Sequence, residues 1–214
     1  MLPLNEQAYQ HLQKMILHNE FSYHEIYSET KLSKEIGISR TPFRDAIHRL
    51  AQEGYIDIIP SKGFRLHQLT SKDVNETFQI RTALETYCTL QITKEFDSPK
   101  AQKLFCDLDW IMDNMKEVRN STHSIEEFCE YDFLFHTKII EYLGNEQFSS
   151  IFSSFMYRMK KLAGLSLEHK GRMEQTCNEH MAILETMRNG DLEHIYEVTN
   201  THMEIPKGIN LEDL

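Results

Sequence analysis

From about residue 72 to residue 205 the chain offers no convincing strand, very few glycines or prolines, and apolar residues recurring at helical spacing. A stretch of that length can bury its apolar residues only as packed helices. Breaks at "DSP" (97–99), "NST" (120–122), "GNE" (144–146), "HKG" (169–171) and "NGD" (189–191) punctuate it. They divide it into predicted helices over 72–95, 99–118, 124–143, 146–167, 172–188 and 191–205. Residues 206–214 read as a frayed, flexible tail.

The first 70 residues differ in pattern. Helices are predicted over 5–19, with Asn5 as cap, over 28–36, ended by Gly37, and over 39–54, with Ser39 as cap. Ile38 and Phe43 occupy the positions of a hydrophobic staple, and Pro42 falls in the first turn, where no amide bond is lost. Two short strands, 55–59 and 64–68, flank the turn Pro60-Ser61-Lys62-Gly63. The expected fold is mainly α. An N-terminal winged helix-turn-helix domain with a small β-hairpin wing (1–70) precedes an all-α antiparallel helical bundle (71–205).

The net charge of −10 argues against nucleic acid only if it is evenly spread, and it is not. Residues 1–70 balance eight Lys/Arg against eight Asp/Glu, so the acidity belongs wholly to the second part. DNA binding needs a local basic face rather than a basic average. No apolar run approaches the roughly 18 residues that span a bilayer. The start "MLPLNEQAYQ" lacks the features of a signal peptide, so a cytoplasmic protein with no membrane partner is expected. Cys88, Cys106, Cys129 and Cys177 form no CxxC pair and read as reduced core residues.

In the third helix Phe43, Ala46, Ile47 and Leu50 follow i, i+3, i+4, i+7, while Arg40, Thr41, Arg44, His48 and Arg49 take the opposite face. A solvated charged face gives the same periodicity, but the preceding short helix and tight turn and the following hairpin favour a DNA reader. Arginine suits that place because its fork can bond guanine O6 and N7 together. "LSKEIGISRTPFRDAIHRLAQEGYIDIIPSKGFRL" closely resembles the winged-helix signature of GntR-family bacterial transcription regulators. Ser39-Arg40-Thr41-Pro42, Arg44, Ala46, Leu50, Glu53 and Gly54 match the family pattern, and Gly63 sits at the wing. Phe43, Asp45 and Tyr55 depart mildly from it, and the family's Pro-Gly turn before the second helix is replaced by "NEFSYHEIYSE". The resemblance implies that Ser39, Arg40, Thr41, Arg44, Arg49, Lys62 and Gly63 touch operator DNA.

Within the second part, apolar stripes are interrupted by metal-ligand side chains. Asp132 and His136 stand on the inward stripe of 124–143, His180 on that of 172–188, and His202 on that of 191–205. One such histidine is usually a hydrogen-bonded core residue, but an unpaired buried carboxylate is costly, and a divalent cation satisfies all four groups at once. Zinc is expected first, with nickel or manganese compatible, since ligand type alone selects weakly. "DFLFHTKIIEYLGN" (132–145), "EH" (179–180), His202 and "IRTALE" (80–85) also resemble the FCD effector domain of the FadR-type branch, in its shorter, VanR-like six-helix form. That resemblance implies a bundle holding a metal through one Asp and three His. Arg81 lies on the inward stripe of 72–95, where an intrahelical pair with Glu85 and a contact to a carboxylate effector account for it equally well.

Together these features predict a homodimeric DNA-binding regulator, not an enzyme, acting on a pseudo-palindromic operator and controlled by a small carboxylate beside a divalent metal. A regulator that answers to the metal alone, or holds it structurally, shares most of the same features. A metal-dependent hydrolase is a third reading, but HExxH and an obvious general base are missing.

Overall fold

The computed structural model describes residues 2–18 and 20–214. It divides into two compact units, Met1–Leu69 and Thr70–Leu214. Each is described by itself.

The first unit holds α1 (Leu4–Leu17), α2 (Glu29–Glu35), α3 (Arg40–Gln52), β1 (Ile56–Ile59) and β2 (Gly63–Leu66). α1 starts after Pro3, one turn's edge earlier than the expected Asn5 cap; Asn5 is already helical and its Oδ1 accepts from the Glu6 amide. The predicted end of this helix, residue 19, lies outside the described residues. Ala8, Leu12 and Ile16 of α1 bury against Phe43, Ile47 and Leu50 of α3 because both sets repeat at three- and four-residue spacing. Ser28 caps α2 by accepting from the Lys31 amide, and Gly37 ends it with φ 70°.

The two strands pair antiparallel, Ile56 opposite Leu66 and Ile59 opposite Gly63. Tyr27 adds a bridge on the free edge of β2, exchanging both backbone bonds with Phe64 (2.7 and 3.0 Å). Gly63 therefore does not sit at the tip of the hairpin, as expected, but is the first residue of β2, with φ 130°. A Cβ there would lie 2.0 Å from the Tyr27 carbonyl oxygen. Close approach is indeed why glycine stands at 63, but the thing approached is the chain's own backbone.

The second unit is a seven-helix bundle: α4 (Ser71–Lys94), α5 (Pro99–Asn120), α6 (Ile125–Glu141), α7 (Glu146–Ser154), α8 (Met156–Leu167), α9 (Arg172–Arg188) and α10 (Ile195–Asp213). Thr70 and Asp73 form a reciprocal capping box on α4, while Ser98, Ser124 and Asn145 cap α5, α6 and α7. α4 and α10 share the most extensive interface, and α5, α6 and α9 close the core around Leu108, Phe128, Phe135 and Leu184.

Three expectations are corrected here. The single helix over 146–167 breaks at Phe155. Phe152 and Tyr157 are both buried, yet five residues at 100° each would set them about 140° apart on one straight helix; the break re-phases the second half. The last helix begins at Ile195, because the Asp191 side chain accepts from the Glu193 and His194 amides and holds 191–194 as a turn. Residues 206–213 are not frayed but helical. Pro206 and Asn210 are buried, Asn210 Nδ2 donates to the Pro206 carbonyl (2.7 Å), and Asp213 pairs with His169 at 2.9 Å. Packing against the bundle outweighs the one amide bond that proline removes.

Among the cysteines, Cys88, Cys129 and Cys177 are buried and Cys106 is exposed. Burial pushes the Cys88 and Cys129 thiols up to about 12. A colorimetric thiol reagent at pH 8 should therefore titrate one thiol per native chain rapidly and all four in guanidinium; four fast thiols in native buffer would contradict this packing.

Candidate metal centre and nucleic-acid interface

On α3 the buried face fixes which side chains remain outside. Arg40, Arg44 and His48, spaced four apart, form one exposed row, with Ser39 and Thr41 beside its N-terminal end. Arg44 makes a 3.3 Å contact with Glu29 of α2, but its side chain is 65 % exposed, so the pair is weak and easily exchanged. Lys62 is exposed in the turn of the hairpin.

Arg49 is different. Its guanidinium lies 3.7 Å from the Tyr9 ring centroid and bonds Glu6 at 2.9 Å and Glu53 at 3.0 Å. Tyr9 in turn donates to Glu53 at 2.5 Å. Arg49 thus belongs to the seam between α1 and α3, one residue ahead of buried Leu50, and its partners there compete with any phosphate. Gly63 likewise serves the Tyr27 bridge. Apart from Glu53, four residues on at the end of the same helix, these partners were not visible in the helical or hairpin pattern, since Glu6 and Tyr9 lie on α1 and Tyr27 lies before α2.

In the second unit, α6, α9 and α10 each aim one imidazole at a common point. The three Nε2 atoms are 3.2 Å (His136–His180), 3.3 Å (His180–His202) and 3.2 Å (His136–His202) apart. Asp132 joins them, its Oδ1 at 3.5 Å from His180 Nε2 and 4.0 Å from His136 Nε2. All four residues are buried.

Two carboxylates behind the ring fix two of the imidazoles. His136 Nδ1 lies 2.5 Å from Glu85 Oε2, and Glu85 Oε1 accepts from Arg81 Nε at 2.9 Å. His202 Nδ1 lies 2.8 Å from Glu179 Oε2, and Glu179 is gripped by both terminal nitrogens of Arg172 (2.5 and 2.9 Å). Two Arg–Glu–His chains thus converge on the three rings. His180 has no such partner among the described residues: its Nδ1 is unbonded, and its ring stacks on Phe135 at 4.2 Å.

Charge follows geometry. Burial opposes ionisation of Glu85, yet the charges of His136 and Arg81 and their hydrogen bonds hold it at about 2. Glu179 is lowered too, its burial outweighed by bonds from His202 and Arg172. Burial first, then the neighbouring imidazoles and arginines, drive His180 well below the ordinary histidine range. His202 is lowered by burial although Glu179 pulls it the other way.

In the neutral ring, the form a metal takes, a carboxylate at Nδ1 holds the ring proton there and leaves Nε2 as a lone pair. His136 and His202 therefore face each other with two acceptors, and His180 can donate to only one of them. Nitrogens each about 2.0–2.1 Å from one ion stand about 3.0–3.4 Å apart, the spacing found here. The donor set of three imidazoles and a carboxylate fits a borderline divalent ion of the zinc, nickel or manganese kind.

Arg81 completes the site from α4. It is 6 % exposed, spends Nε on Glu85, and leaves Nη2 buried without a hydrogen-bond partner. It lines two cavities that meet at Asp132, one toward Phe133, Phe152 and Lys160 and the other toward Ser166, Arg172 and Pro206. The sequence marks the candidate ligands by their polar interruption of apolar stripes. Glu179 and Arg172 were not expected as orienting groups and Glu85 was expected only as an ion-pair partner, although "EH" at 179–180 and "RTALE" at 81–85 place a carboxylate near each centre.

Comparison with known proteins gives two family matches. Residues 4–66 match bacterial regulatory proteins of the gntR family, and residues 76–205 match the FCD domain. The HTH-type transcriptional regulator YdhC of Bacillus subtilis is 27 % identical over 191 residues, 89 % of this chain and 84 % of that protein. The gluconate operon transcriptional repressor of Bacillus licheniformis is 28 % identical over 160 residues, 75 % of this chain and 63 % of that protein. Among solved structures, Escherichia coli McbR/YncC superposes with a TM-score of 0.74 at 17 % identity, covering 100 % of this chain and 99 % of that one.

Proposed function

The chain belongs to the gntR family of bacterial regulatory proteins and carries an FCD domain, and from that premise we propose a cytoplasmic, homodimeric repressor whose operator affinity is set by a small carboxylate bound beside a divalent metal. It is a transcriptional regulator, not an enzyme, and its N-terminal helix-turn-helix is of the DNA-binding kind.

On this reading α3 enters the major groove, with Arg40, Arg44 and His48 along its exposed row, Ser39 and Thr41 at the phosphate backbone, and Lys62 in the wing touching the backbone or minor groove. Two such units in a dimer read a pseudo-palindrome. In the second unit Asp132, His136, His180 and His202 hold the ion. The observation that carries the reading is the meeting of three imidazole Nε2 atoms, 3.2 to 3.3 Å apart and fully enclosed, beside an arginine with an unbonded Nη2. An ion held there would supply the positive charge those lone pairs require and would attract a ligand oxygen. Arg81 Nη2 then donates to the ligand's carboxylate while Nε keeps Glu85, and through it His136, in place. The gluconate operon repressor among the relatives is consistent with control by an organic acid.

Regulation requires that the acid prefer one dimer geometry over the other; a preference of about 1–3 kcal/mol changes operator affinity about 5- to 150-fold. The test starts with duplexes selected from a random pool by the purified protein, followed by anisotropy titrations with metal alone and with metal plus carboxylates. Affinity should fall steeply with salt and shift on adding a carboxylate. Arg40→Ala or Arg44→Ala should each cost about 1–3 kcal/mol on the selected site and flatten its preference over random duplex. Unchanged preference in both variants would remove α3 from the groove, and insensitivity to every carboxylate would leave the metal alone as the signal.

A further inference from the structure

The cavity lined by Arg81 and Phe133 carries two cations. One is Arg81, whose Nη2 is buried and unbonded. The other is Lys160, its ammonium 5.1 Å from the Phe133 ring centroid and its side chain 23 % exposed. Lys160 bonds both oxygens of Glu130 at 2.6 Å, but that carboxylate is 61 % exposed and remains free to turn into water. Besides Asp132 and His136 the rest of the lining is apolar: Phe133, Phe152, Met159 and Cys129.

The second cavity lacks this pattern. Arg172 lines it, yet its nitrogens are taken by Glu179 and Ser166, so its charge is already answered. Only the first cavity offers a second cation that a ligand can claim by displacing a surface carboxylate.

We propose that the effector is a dicarboxylate, with one carboxylate at Arg81 beside the metal centre, the other at Lys160, and its methylenes against Phe133 and Phe152. This deepens the carboxylate-effector reading above and rests on it. A monocarboxylate of the same length leaves Lys160 to Glu130. A polyhydroxy acid sets hydroxyls against aromatic rings, where they lose hydrogen bonds to water without replacement.

Calorimetric titration of the full-length, zinc-loaded chain with succinate, butyrate and gluconate tests this directly. Succinate should bind at least about tenfold tighter than butyrate, the range expected for one charge-assisted hydrogen bond. Lys160→Met keeps the stem over Phe133 and removes the charge; it should erase that gap while changing butyrate affinity less than about twofold. Glu130→Gln, which weakens the competing partner, should tighten succinate. Butyrate or gluconate matching succinate, or a gap that survives in Lys160→Met at unchanged zinc content, would overturn the dicarboxylate assignment and leave a carboxylate effector standing. If none of the three acids binds the zinc-loaded chain, the carboxylate reading itself falls and takes this one with it.

Discussion

Chains carrying His180→Ala should come off the column with less than about a tenth of a metal ion each by mass spectrometry, against about one for the parent. His180 is fully enclosed, and it supplies one of three nitrogens in a set where each closes two of the 3.2–3.3 Å edges. The thermal consequence follows from mass action: an ion at about a thousand times its dissociation constant stabilises the folded unit by about 4 kcal/mol. For a unit of this size, each kcal/mol moves the midpoint about 2–4 °C, so the second unit should melt about 8–16 °C lower. Truncating a ring stacked on Phe135 also leaves a void, and chelated parent protein separates the two effects. With chelator present the difference should shrink to the void's share. A difference of full size in chelator would mean that packing, and not an ion, explains the histidines.

Gly63→Ala should disable DNA binding without touching the metal centre. The added methyl meets the Tyr27 carbonyl oxygen at 2.0 Å, backbone against backbone, and φ 130° is itself hostile to any side chain. Relief requires breaking the Tyr27–Phe64 bridge or shifting β2, which also disturbs Phe64, packed edge-on to Phe21. A cost above about 3 kcal/mol is expected, a large share of what a unit of 69 residues commands. Operator affinity should drop at least about a hundredfold, while bound metal stays at parental level. Calorimetry should lower one transition and leave the other in place. An unshifted midpoint with full operator affinity would show that the bridge is dispensable.

How much of this was legible in the residues depends on where each constraint resides. α3 could be read because Phe43, Ala46, Ile47 and Leu50 carry their own period, and all four are buried. The histidines could be read because a polar group on an apolar stripe marks itself, and the structure brings His136, His180 and His202 to one point with Asp132 alongside. Glu85 and Glu179 could not be given their roles from spacing, since a carboxylate on a helix finds its partner by which helix packs opposite. Arg49 shows the same limit: its charge suited the groove, but its neighbours on α1 were set by packing. The break at Phe155 carries no glycine or proline, and only the conflict between burying Phe152 and burying Tyr157 reveals it. Pro206 and Gly208 misled in the opposite direction, because breaker residues are tolerated where tertiary contacts hold the helix.

That break at Phe155 has a mechanical corollary. α8 is left as a short separate rod, with Met159 and Lys160 walling one cavity and Ala163, Ser166 and Leu167 walling the other. Near its start Arg158 reaches Asp73 at 3.6 Å, in the first turn of α4 and four residues after Leu69, where the DNA-reading unit ends. A guest in either cavity leans on a rod that is tied near its start to the first turn of α4.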